Sequence, residues 1–148
     1  MMRWLSAEQV VALHEAVLER WGGMPGGGPR GAAHEGVEAA VQAVKNSYYT
    51  TAGELAAANA VYIVQGHVFQ DGNKRAGAAA AATFLVANGI ELRIPPGELR
   101  DSMIELQTRA EQGTRTDALI AWLAGRLTGT EAGSLGSAGR RKRLWDFR

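Results

Sequence analysis

The chain has 148 residues, 46% of them hydrophobic and 21% charged, no cysteine and a formal net charge of +1. The length suits one domain with its own core, and the missing cysteines exclude disulfides and thiolate metal sites, in keeping with a reducing compartment. The charge is uneven: residues 1–128 hold eleven Lys/Arg against thirteen Asp/Glu, whereas 129–148 hold five against two, which excludes nucleic-acid binding by bulk charge everywhere except the tail.

The acid-studded, amphipathic start reads as neither signal peptide nor membrane span, and no apolar run reaches spanning length, so a cytoplasmic protein is expected. Ser6-Ala7-Glu8-Gln9 is a capping box. Val10, Leu13, Val17, Leu18 and Trp21 then recur at helical spacing, predicting a helix over 7–21. Residues 22–31, with six glycines and two prolines, form a loop, because glycine entropy and proline geometry oppose regular structure. A second helix is expected over 32–45 with Val37, Val41 and Val44 inward. Thr51-Ala52-Gly53-Glu54 repeats the capping box and opens a third helix to about residue 66. Helix resumes at about Asn73, read as N-cap, and stops at Asn88-Gly89. Ile90 to Ile94 alternates like a strand, but before Pro95-Pro96 it makes at most a short β-hairpin arm. Helices return over 97–111 and 117–127, the latter capped by Thr116. The expected fold is an all-α bundle of six or seven helices over 1–127. A Gly/Ser-rich linker and basic tail follow over 128–148, read as disordered, with docking to an acidic surface or nucleic acid as the sharper alternative.

Between the third and fourth helices lies His67-Val68-Phe69-Gln70-Asp71-Gly72-Asn73-Lys74-Arg75. A polar loop feeding a helix N-terminus suits phosphate, since the first N–H groups of a helix have no internal partner. His67 is a candidate base near neutral pH. Asp71 is a candidate Mg²⁺ ligand and equally a turn residue bonding its own backbone. Gly72 permits the positive φ that aims successive N–H groups at one anion, and Asn73 can cap the helix and donate to phosphate. Lys74 and Arg75 stand in the first helical turn, where the dipole disfavours cations unless a polyanion binds. Phe69 is expected to turn inward and clamp the loop. His14 reads as a surface or core-edge residue; neither it nor His34 has the spacing of an HExxH metal site. Residues 47–51 read as turn and cap chemistry.

The nonapeptide resembles the signature of the Fic superfamily in the form typical of death-on-curing (Doc) toxins. The resemblance covers about 3–127, taking in Leu5 to Glu8, the Gly22–Gly26 loop and Phe84 to Ile90. It implies an all-helical fold with this loop as active site, using ATP and Mg²⁺. By resemblance His67 deprotonates a protein hydroxyl, Asp71 holds Mg²⁺, Gly72 and Asn73 form the anion-binding turn, and Arg75 meets the nucleotide phosphates. Position 74 separates the subclasses: nucleotidyl-transferring Fic proteins have glycine there, Doc toxins lysine. A lysine fills the room that deep-lying phosphates need, so ATP is expected to lie reversed and offer its γ-phosphate. Doc relatives are kinases that phosphorylate a threonine of elongation factor Tu and halt translation. Ala78 stands where nucleotidyl-transferring members carry a second arginine, and Gln65 where some Doc toxins carry a cation.

No self-inhibitory Ser/Thr-x-x-x-Glu-Gly/Asn helix is present: Gly31 precedes Glu35-Gly36, and Leu55 follows Glu54. The resemblance therefore implies restraint by a small antitoxin whose disordered C-terminal segment folds into a groove on the toxin. Two alternatives stand beside the kinase: a nucleotidyltransferase of the wider Fic class, and a non-enzymatic binding module on a retained fold.

Overall fold

A computed structural model describes residues 1–26 and 33–129, with backbone alone at 33 and 34. Most of the 22–31 loop beyond Gly26, and the basic tail from residue 130, lie outside the described residues. Six helices are present among them: α1 Ala7–Trp21, α2 Ala33–Asn46, α3 Ala52–Gly66, α4 Asn73–Ala87, α5 Pro96–Glu111 and α6 Thr116–Thr128. The fold is all-α, as the periodicity predicts.

Both capping boxes form. Ser6 and Gln9 exchange side-chain and backbone bonds at the start of α1, and Thr51 and Glu54 do the same for α3. Such caps satisfy N–H groups that the helix itself leaves open. The carboxylate of Glu54 is thereby spent on its own helix.

α3 is the axis of the molecule, packing against α2, α4, α5 and α6. A helix can occupy that place only if it is apolar on every side, and Leu55, Ala56, Ala57, Ala58, Ala60, Val61, Ile63 and Val64 are all buried. Asn59, the one polar side chain buried along α3, gives its amide N–H to the Leu55 carbonyl at 2.9 Å. Small residues let α4 approach closely: a Cβ on Gly77 would lie 3.0 Å from Val64 Cγ2 and 3.3 Å from the Ala60 carbonyl oxygen. Phe84 and Leu85 on α4, Leu106 on α5 and Ile120 and Leu123 on α6 complete the core.

No strand forms over 90–94 among the described residues, within the expected bound of at most a short hairpin arm, and one capping expectation is corrected. Leu92 and Ile94 are buried as the alternation requires, but no strand lies beside them; Arg93 N–H bonds instead to the Leu127 carbonyl at the end of α6, at 2.8 Å. Thr116 does not cap α6. It is the first helical residue, Arg115 is the N-cap with no side-chain cap bond, and the Thr116 hydroxyl donates to Gln65 Oε1 at 2.9 Å. The N-terminal segment is tied to the far end of α4, where Asn88 accepts from Arg3 N–H at 2.7 Å and donates to Arg3 O at 3.0 Å.

Candidate active site

The loop between α3 and α4 begins with a left-handed residue. His67 is the C-cap of α3 at φ 47, ψ 49, and its N–H bonds back into the last turn of the helix. Histidine tolerates this region better than most side chains but still pays for the Cβ crowding. The turn sends Val68 and Phe69 inward, where both are buried, and leaves His67 exposed at the rim. His67 borders a small pocket of about 140 Å³ shared with Val64, Gln65, Gln107, Ala110 and Glu111.

Phe69 is the clamp that the pattern predicts, and it has a partner the pattern does not reveal. His14 of α1 is buried and stacks face to face on the Phe69 ring, with centroids 3.7 Å apart and planes 6° from parallel. The surface or core-edge placement expected for His14 is therefore corrected. Its Nε2 lies 2.7 Å from the Asp71 carbonyl oxygen. A carbonyl only accepts, so Nε2 carries the proton and donates.

Asn73 holds the same loop from the other end. Phe69 N–H donates to Asn73 Oδ1 at 3.0 Å, and Asn73 Nδ2 donates to Phe69 O at 2.8 Å. Both backbone groups of Phe69 are met by one side chain, which also sets the orientation of that amide. This corrects the expected cap: Asn73 is the first residue of α4, and its side chain ties the loop. Gly72 is the N-cap, left-handed at φ 78, ψ 18, with no side-chain cap bond. The first-turn N–H groups of α4 thus lack the side-chain acceptor that α1 and α3 have.

Around this helix end stand the remaining side chains of the motif. Asp71 is exposed; its Oδ1 accepts from Gly72 N–H at 2.9 Å and its Oδ2 from Met24 N–H at 3.3 Å. The glycine-rich loop can come this close only because residue 23 lacks a side chain. A Cβ there would sit 2.9 Å from Leu18 Cδ2 and 3.0 Å from Asp71 Oδ2. Gln70 N–H extends the seam to Gly26 O at 3.0 Å. Lys74 reaches across to α5, with Nζ 2.8 Å from Gln107 Oε1. The Arg75 guanidinium lies over the Trp21 ring at 5.0 Å, a cation–π contact with the end of α1. No acidic residue occupies the first turn of α4.

Asp71, Gly72, Lys74 and Arg75 therefore stand at the N-terminus of α4 with Asn73 as a fastener, and His67 borders a pocket lined by Gln107, the residue that Lys74 meets. Sequence reasoning missed three supporting residues: His14, Trp21 and Gln107. Trp21 falls on the apolar period of α1 yet is 53% exposed and serves Arg75. Gln107 lies 33 residues from Lys74, and no spacing in the chain connects them.

A helical bundle carrying this loop between its two central helices defines a class. Residues 4–85 match the Fic/DOC family, and the chain belongs to it. The chain is also 38% identical over 108 residues to the protein kinase doc of Escherichia phage P1, covering 72% of this chain and 84% of that protein.

Proposed function

We propose that this chain is the kinase toxin of a toxin–antitoxin pair, transferring the γ-phosphate of ATP to a Ser/Thr hydroxyl of a protein. Elongation factor Tu is the expected acceptor, and arrested translation the expected result. One observation carries the reading: the N-terminus of α4 has two cations, no acid in its first turn and no side-chain cap, follows the exposed Asp71 carboxylate, and reaches through Lys74 to Gln107 on the pocket of the exposed His67 imidazole. The description of the phage P1 relative as a protein kinase supports it.

Phosphoryl transfer asks for positioning and charge neutralisation more than for covalent chemistry by the protein. The acceptor oxygen bonds to the γ-phosphorus while the bond to the β,γ-bridging oxygen breaks, and ADP leaves with that electron pair. The imidazole of His67 takes the hydroxyl proton through its unprotonated ring nitrogen. The N–H groups of the first turn of α4, aimed by the left-handed Gly72, hold the phosphate oxygens with the ammonium of Lys74 and the guanidinium of Arg75.

Asp71 fits as the protein ligand of Mg²⁺. It is the one carboxylate of the loop, exposed and oriented by two backbone N–H groups, and Mg²⁺ completes its shell with phosphate oxygens and water. The ion would supply neutralisation of charge on the transferring phosphate. Among the described residues no group of three metal-ligating side chains exists, so the ion is expected to arrive with the nucleotide.

The test incubates the purified chain with Mg²⁺, elongation factor Tu and ATP labelled at the γ- or the α-phosphate in parallel, alone and in cell extract. Label on protein from the γ-phosphate, lost on chelation and lost in His67→Ala, supports the kinase. Label only from the α-phosphate makes the chain a nucleotidyltransferase, and label from neither leaves the binding module.

A further inference from the structure

We propose that Gln107 of α5 is a positioning residue that holds the Lys74 ammonium for phosphate transfer; the inference rests on the kinase reading above. A lysine in the first turn of a helix is repelled by the positive end of the dipole, and α4 has no acid in that turn to hold it. Its head group is nevertheless fixed, 2.8 Å from Gln107 Oε1. The amide is fixed in turn, since its Nε2 donates to Glu111 Oε2 at 3.1 Å, one turn further along α5. The opposite amide orientation would set NH₂ against the ammonium and the carbonyl against the carboxylate. Only one orientation serves both neighbours.

The result is an ammonium–amide–carboxylate chain in which the acid polarises the amide without touching the lysine. That arrangement suits an anion site. An amide oxygen takes one of the three ammonium N–H donors and leaves the full positive charge, with two donors, for phosphate. A carboxylate in its place would neutralise Lys74 and repel the ligand. Gln107 also lines the pocket that His67 borders, so one side chain adjoins both the base and the cation.

A double-mutant cycle tests this, combining Gln107→Ala with Lys74→Ala and measuring kcat and KM for ATP in γ-phosphate transfer to the acceptor that the wild-type chain labels. Gln107→Ala is expected to lower kcat/KM about tenfold in the Lys74 protein, the size of one hydrogen bond to a charged group, and to change nothing further in the Lys74→Ala protein. Gln107→Glu, equal in length, is expected to fall at least as far while its melting temperature stays at the wild-type value; a merely structural role would tolerate it. Equal losses in both lysine backgrounds, or full activity in Gln107→Ala or Gln107→Glu, would overturn the role while leaving the kinase reading intact. A wild-type chain that transfers no γ-phosphate overturns the kinase reading and the positioning role with it.

Discussion

At the scale of single residues the site separates into groups that face outward and groups that hold them. His67 is exposed and its side chain supports nothing in the core. His67→Ala should therefore cut phosphate transfer by about 10²–10⁴-fold, the usual worth of a general base, with little change in melting temperature. Trp21 is a holder: Trp21→Ala removes the ring beneath Arg75, a contact worth about 0.5–1 kcal/mol at an exposed site. KM for ATP should rise a few-fold with kcat nearly constant, which steady-state kinetics would show; an unchanged KM would mean that Arg75 needs no support. The outward residues were legible in the sequence because their chemistry is crowded into nine positions. The holders were not. Asn73 has the type of a cap and the place of a phosphate donor, yet its amide is taken by both backbone groups of Phe69. His14 and Gln107 belong to helices whose packing on the loop no local pattern encodes.

At the scale of elements, the loop is rigid because neighbours close its hydrogen bonds. Asn73→Ala strips two partners from Phe69 at a half-buried site and should cost about 1–3 kcal/mol. Chemical denaturation would show this as a lower midpoint, and amide exchange should speed up at Phe69 before it does in α3. The α3–α4 crossing is the other exacting contact. Gly77→Ala gains helix propensity of up to about 1 kcal/mol, but its methyl meets the Ala60 carbonyl and Val64. Overpacking against backbone costs about 1–3 kcal/mol, so net destabilisation is expected; a stabilised variant would show that the crossing has slack. Helices were readable from apolar period and capping boxes, within a residue or two at most ends. The Ile90–Ile94 segment alternates like a strand without pairing as one, because alternate burial reports which side chains face the core and not what the backbone bonds to. Here the partner is a helix end.

For the whole molecule, a buried α3 fixes the rim from which the loop projects, and α1, α4 and α5 each bring one side chain or more to it. No helix among the described residues is long and apolar enough to cross a membrane. Glu54, the acid of one partial match to the self-inhibitory motif, caps its own helix, and we expect restraint by a separate antitoxin. Co-expression with a small reading frame adjoining its gene, where one is found, should yield a complex whose melting temperature exceeds that of the free chain, by mass action on the folded state. Two freely separable proteins would count against that partner. The division at about residue 127 is read from the shift in composition alone; α6 ends at Thr128.

Lys74 is expected to make this loop present the γ-phosphate of ATP rather than the α-phosphate. The most direct test supplies ATP labelled at the γ- or the α-phosphate, in parallel, to the wild-type chain and to Lys74→Gly, with the acceptor protein present. The wild type is expected to give γ-label alone and Lys74→Gly a much weaker γ-label, whether or not α-label replaces it. Undiminished γ-transfer by Lys74→Gly, or α-label from the wild type, would contradict that role for Lys74.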